Sequence, residues 1–153
     1  MTIVGSVAAL FNSLRFIWSA FLDKYSYKVV YGTLLCIQIL LALSIKLAVT
    51  NKIFYAIWVC LALFCEGGHF TLVPNILRKI FGDQATSLYG IAFSYTGLNS
   101  LLMVGLLLTS LGTDYIWFFG ITGILSFVAL MLLIFVFSEE KFKPDFTFLH
   151  ENK

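Results

Sequence analysis

Arg15 lies inside an apolar run, next to an amide and an indole. Asn12, Arg15 and Trp18 follow one another at intervals of three residues, so they share one face of a helix. A guanidinium can hold a carboxylate in a bidentate fork, flanked here by the amide and the indole. The pattern predicts a site for a small carboxylate, with Arg15 and Asn12 as substrate-binding residues. The alternative is a structural ion pair between Arg15 and Glu66.

A second set of reactive side chains lies in the stretch CEGGHFTLVPN, residues 65–75. Glu66 and His69 share a helix face, and both are titratable, so they are candidates for proton coupling, with His69 also a candidate for substrate contact. Gly67 and Gly68 would let a neighbouring helix approach closely or let this helix bend. A Glu-x-x-His step is half of a di-iron motif, but the other half is missing, so we expect no metal and no cofactor. The alternative for the pair is a hydrogen-bonded contact between helices.

A third stretch, TSLYGIAFSYTGLNSLLMVG, carries hydroxyl groups and an amide but no charge. We expect Tyr95 and Asn99 in this stretch to line the same substrate site, because polar groups on a membrane helix line a passage or bond to another helix. The glycines among them permit close packing of that helix.

Helices that span a membrane must position these residues. The chain is 60% hydrophobic and 12% charged, whereas soluble domains are about 25% charged. Five runs are long enough to cross a hydrocarbon core, which takes roughly 20 apolar residues. They are residues 3–22, 29–49, 53–73, 86–109 and 115–137. Short connections join them, among them residues 74–85, so we predict an all-α five-helix bundle over residues 1–137 and a polar tail over residues 138–153.

Basic residues gather at one side of this bundle. They follow the first run, precede the fourth run or lie in the tail, and they are Lys24, Lys28, Arg78, Lys79, Lys141, Lys143 and Lys153. Because cytoplasmic loops collect lysine and arginine, we expect an integral multi-pass protein with its C-terminus on the cytoplasmic side. Topology accounts for the net charge of +2, and no basic patch interleaved with aromatics points to nucleic acid.

The residues SAFLDKYSYK, 19–28, resemble the cytoplasmic loop signature of the major facilitator superfamily, Gly-x-x-x-Asp-Arg/Lys-x-Gly-Arg-Arg/Lys. Asp23, Lys24 and Lys28 match that pattern, whereas serine replaces both glycines and tyrosine replaces one arginine. The resemblance implies that Asp23, Lys24 and Lys28 act in a cytoplasmic gating loop. Its contacts would differ between the inward-open and outward-open states.

Three further segments, FNSLRFIWSAFLDK, EGGHFTLVPNILRKIFG and YGIAFSYTGLNSLL, are similar to the C-terminal half of the oxalate/formate antiporter and monocarboxylate-carrier-like branch. The resemblance implies that the five spans correspond to helices eight to twelve of that fold, and that Arg15 is the anion-binding arginine of the eighth helix. Thr96 stands where the oxalate carrier has a lysine. One fixed cation suits a monocarboxylate better than a dianion.

The expected function is therefore part of a secondary active transporter for a small organic anion, monocarboxylate-like, working by alternating access. Its expected partners are the lipid membrane, the anion, and the missing N-terminal transporter half or other membrane subunits. The alternative is a non-transporting accessory or structural subunit, in which Arg15 and Glu66 pair with each other or with a partner. An enzyme is not expected, because no nucleophile with a base and no cofactor loop can be assembled from these residues.

Overall fold

The computed structural model describes residues 2–108 and 115–138, and this part of the chain consists of helices joined by short connections, with no strand. Six α-helices follow one another, with a 3₁₀ turn at Gly82–Gln84 before the fifth. They are α1 (Thr2–Ser13), α2 (Phe16–Lys24), α3 (Tyr27–Ala48), α4 (Lys52–Phe81), α5 (Ala85–Leu108) and α6 (Tyr115–Phe135). The predicted polar tail, apart from Ser138, lies outside the described residues.

The first predicted span is broken into two helices. Leu14 and Arg15 separate α1 from α2, and their N–H groups donate to carbonyls three residues back, at 3.1 and 3.2 Å. Arg15 has φ −53° and ψ −21°, values typical of a 3₁₀ turn. Such a turn inside a longer helix often marks a hinge or a strained segment, and here it coincides with the one charged residue of the span.

The predicted connection at residues 74–85 is wrong over residues 74–81, because α4 continues through Pro74 to Phe81. Proline supplies no N–H to the helix, yet membrane helices tolerate this loss where packing holds them. Leu72 and Ile76, on either side of Pro74, are buried in the core. The helix ends at Gly82, whose φ of +54° lies in the left-handed region that glycine adopts readily.

Four runs in the described part of the chain are long and apolar enough to cross a membrane. They are Val4–Lys24, Tyr27–Ala48, Lys52–Gly105 and Ile116–Phe135. The third has 54 residues, and a straight helix of that length would measure roughly 80 Å, far more than a hydrocarbon core of about 30 Å. It folds back at the 3₁₀ turn, since the rings of Phe70 in α4 and Phe93 in α5 lie 6.0 Å apart. That α4 and α5 each cross the membrane, giving five spans, stays a prediction.

The core lies between α2, α3, α4 and α6. Its central side chains are Trp18, Leu34, Cys65, Leu72 and Leu133, each less than a tenth exposed. By contrast, α5 exposes large apolar side chains such as Leu101, which is 72% exposed. An apolar helix face of this kind is suited to lipid or to further helices.

Lys28 in the first turn of α3 connects this helix to the end of α6. Its Nζ donates to the carbonyl of Ile134 at 2.7 Å and to that of Phe137 at 3.4 Å. The last carbonyls of a helix have no partner within the helix and form the negative end of its dipole. The ammonium group therefore caps α6.

Candidate functional site

Gly67 and Gly68 bring α4 against α1, which carries Asn12, and against the turn at Arg15. A Cβ atom on Gly67 would lie 2.5 Å from the Oδ1 of Asn12 and 3.1 Å from the Cβ of Arg15. A Cβ atom on Gly68 would overlap the side chain of Leu34 and lie 3.0 Å from the indole nitrogen of Trp18. The close approach predicted from the two glycines is confirmed, and it places Arg15 beside the residue that follows Glu66.

Trp18 fixes this contact. Its indole Nε1 donates to the carbonyl of Phe64 in α4 at 3.1 Å, and the two rings lie 5.2 Å apart. The side chain is 4% exposed. Trp18 is thus an anchor between α2 and α4, and its N–H group is already engaged.

Arg15 is exposed at the break between α1 and α2, and Asn12 is half-buried against Gly67. Within residues 2–108 and 115–138, Arg15 and Glu66 form no ion pair with each other. The Arg15 side chain is therefore accessible from outside the described helices.

A cleft of about 380 Å³ opens between α3, α4 and α5. Its polar lining residues are Tyr31, Glu66, His69, Tyr89 and Thr96. The structure thus brings Glu66 and His69, predicted as a pair from their spacing, into one cavity. Thr96 lies in the same cavity.

Tyr31 is a lining residue that the sequence reasoning missed. Its hydroxyl group shares a hydrogen bond of 3.1 Å with Nδ1 of His69, and the two rings meet edge to face at 5.4 Å. The only hint in the sequence is the spacing of Tyr27 and Tyr31 by four residues, which stacks their rings on one face of α3 at 5.1 Å. Tyr89 was missed as well, since a tyrosine on an apolar helix is common at a membrane interface.

Tyr95 and Asn99 do not line this cleft. Both lie on α5 and are exposed, Tyr95 to 68%, whereas their neighbour Thr96 faces the cavity. Their assignment as substrate-binding residues stays a prediction.

The residues of the predicted gating loop fall in three different settings. Asp23 and Lys24 are exposed in the last turn of α2, and Lys28 caps α6. Only Tyr25 and Ser26 separate α2 from α3, so the connection is shorter than the predicted one at residues 23–28. Its role in gating stays a prediction.

Among the described residues, no group of three or more histidine, cysteine, aspartate or glutamate side chains is placed to hold a metal ion. Searches of the curated proteins and of the solved structures found no significant match. The sequence model of the Major Facilitator Superfamily matches residues 1–151, which is nearly the whole chain and agrees with its long apolar helices. The chain is therefore an integral multi-pass membrane protein that belongs to the Major Facilitator Superfamily, whose members are transporters and not enzymes.

Proposed function

We propose that the chain forms part of a secondary active transporter for a small organic anion, monocarboxylate-like, that works by alternating access. Transporters of this superfamily place their substrate site near the middle of the bilayer, between two halves that rock against each other. Membership of a transporter family does not favour the alternative of a non-transporting subunit. The facing wall of the site would come from an N-terminal transporter half or from other membrane subunits.

The position of Arg15 is the observation that carries this proposal. Arg15 lies about 13 Å along the helix from the end of α2, too deep for its guanidinium to reach the surface easily. A charge at membrane depth costs several kcal/mol unless it faces a cavity or a partner, and Arg15 has no ion pair with Glu66. A bound carboxylate would supply the missing partner, with Asn12 next to it on the same face.

Glu66 and His69 are the groups we propose for proton coupling. Both line the cleft, and about 20 Å of helix separates Glu66 from each end of α4. A titratable pair at that depth is typical of proton relays in transporters. His69, Tyr95 and Asn99 would complete the substrate site, and Asp23, Lys24 and Lys28 would change contacts between the two end states on the cytoplasmic side.

The test is uptake of a radiolabelled monocarboxylate into proteoliposomes that contain the full protein. We expect Arg15→Lys to reduce the initial rate by about tenfold or more, because lysine keeps the charge but loses the bidentate fork. Arg15→Gln should abolish uptake above background.

The matched control is Arg78→Lys, the same exchange at an exposed arginine in the last turn of α4. Its uptake rate should stay within about twofold of wild type. Uptake that survives Arg15→Gln, or that falls equally with Arg78→Lys, would contradict the proposed role of Arg15.

A further inference from the structure

We propose that the cleft between α3, α4 and α5 binds a small organic cation, a protonated or quaternary amine, with Glu66 as its counter-ion and aromatic rings as its walls. The site shares His69 with the carboxylate site proposed above, but its counter-ion is Glu66 and its ligand has the opposite charge, so the inference goes beyond the proposed function.

Glu66 brings an unpaired carboxylate to the cleft. Its side chain lines the cleft, and within the described part of the chain it has no hydrogen bond and no ion pair. It lies halfway along α4, where an isolated carboxylate is expensive and normally faces a partner of opposite charge. His69 does not fill that role through Nδ1, because this atom is already bonded to the hydroxyl of Tyr31.

The walls of the cleft are largely aromatic. Phe70, Tyr89 and Phe93 line the cleft together with Tyr31. The rings of Phe70 and Phe93 lie 6.0 Å apart at 51°, and those of Tyr89 and Phe93 lie 5.9 Å apart at 45°. The face of an aromatic ring attracts a cation, so a lining with four aromatic residues favours a cationic ligand.

No lysine or arginine is among the described residues that line the cleft. Arg15 packs beside Gly67, and Gly67 is turned about 100° around α4 from Glu66. A carboxylate placed in the cleft would meet Glu66 and no fixed cation, whereas an ammonium group would meet a counter-ion and aromatic faces.

The size of the cleft is consistent with such a ligand. Its volume of about 380 Å³ falls at the lower end of the range for small-molecule sites, which is about 300–1,000 Å³. A quaternary amine with short alkyl arms fits this space, and its apolar surface matches the phenyl rings.

Binding of radiolabelled tetraethylammonium to the full protein in nanodiscs tests the proposal. We expect saturable binding in the wild type and a loss of affinity of about tenfold or more in Glu66→Gln, which keeps the shape but removes the charge. Asp83→Asn is the matched control, since it removes a carboxylate from the exposed 3₁₀ turn, and its affinity should stay unchanged.

A second pair of variants tests the aromatic wall. Phe93→Leu keeps an apolar side chain but removes the ring, and we expect affinity to fall severalfold. Phe127→Leu makes the same exchange at an exposed position on α6 and should have no effect. Each variant is used only if it elutes as a single species and unfolds in one transition.

Absence of saturable binding in folded wild-type protein would overturn the proposal, and so would binding that Glu66→Gln leaves unchanged. Binding of a labelled monocarboxylate, measured on the same samples, separates this inference from the proposed function. If tetraethylammonium binds but no carboxylate binding that depends on Arg15 is found, the proposed function alone is refuted. The reverse result would refute the cation site alone.

Discussion

Gly68 is the residue whose size sets how closely α2 and α3 approach α4. Its Cα faces the side chain of Leu34 and the indole of Trp18 without room for a methyl group. The indole in turn bonds to the carbonyl of Phe64. Because both neighbours are themselves buried, neither can move away without disturbing the core.

We therefore expect Gly68→Ala to destabilise the protein by about 1–3 kcal/mol through overpacking. The melting temperature in detergent, followed by circular dichroism, should fall by several degrees. Gly120→Ala is the control, because a Cβ atom on Gly120 would meet nothing within 4 Å and alanine is the better helix former by about 1 kcal/mol. An unchanged melting temperature in Gly68→Ala would mean that α2 and α4 do not pack as closely as described.

At the scale of the elements, the end of α6 depends on a side chain from α3. Lys28 donates to the carbonyl of Ile134 in the last turn of α6, which no backbone N–H group of the helix can reach, and to that of Phe137 just beyond the helix. The same lysine matches the cytoplasmic loop signature. If Lys28 changed its contacts during gating, the end of α6 would lose its cap in one state and regain it in the other.

Replacement of this lysine by methionine should loosen that helix end. We expect Lys28→Met to cost about 0.5–2 kcal/mol and to raise amide hydrogen exchange in the last turn of α6 severalfold. Lys24→Met removes an exposed lysine from the last turn of α2 and should leave exchange in α6 unchanged. Equal exchange in wild type and Lys28→Met would show that the cap contributes nothing.

At the scale of the whole molecule, the hairpin of α4 and α5 decides the topology. The two helices return on each other at the 3₁₀ turn, with Phe70 against Phe93. If each helix crosses the bilayer, the turn lies on the side where Arg78 and Lys79 gather. The positive-inside rule predicts that this side is cytoplasmic.

Cysteine labelling tests this arrangement. In a variant whose three cysteines, Cys36, Cys60 and Cys65, are replaced by alanine, we expect Asp83→Cys to react with an impermeant maleimide only from the cytoplasmic side. Thr50→Cys, between α3 and α4, should react only from the opposite side. Asp114→Cys, in the predicted connection before the last span, should also react from the opposite side. Labelling of Asp114→Cys from the cytoplasm would show that α5 does not cross.

The sequence predicted more of the fold than of the candidate site. The all-α membrane fold was predictable because apolar length and the scarcity of charge act along the chain, where they can be counted. The presence of Glu66 and His69 in one cleft was predictable for the same reason, since side chains three residues apart on a helix lie on one face. The partnership of His69 with Tyr31 was not, because the two residues are 38 positions apart and meet only through packing of α3 on α4.

The sequence by itself determined that this chain is apolar enough to span membranes and belongs to a transporter family, and it predicts Arg15, Glu66 and His69 at membrane depth, because hydrophobicity and local spacing are properties of the chain. Only the tertiary structure decided that the helix breaks at Arg15, that α4 runs through Pro74, and that the cleft is acidic and aromatic. Each of these outcomes depends on contacts between helices, in which buried side chains outweigh the preference of a single residue.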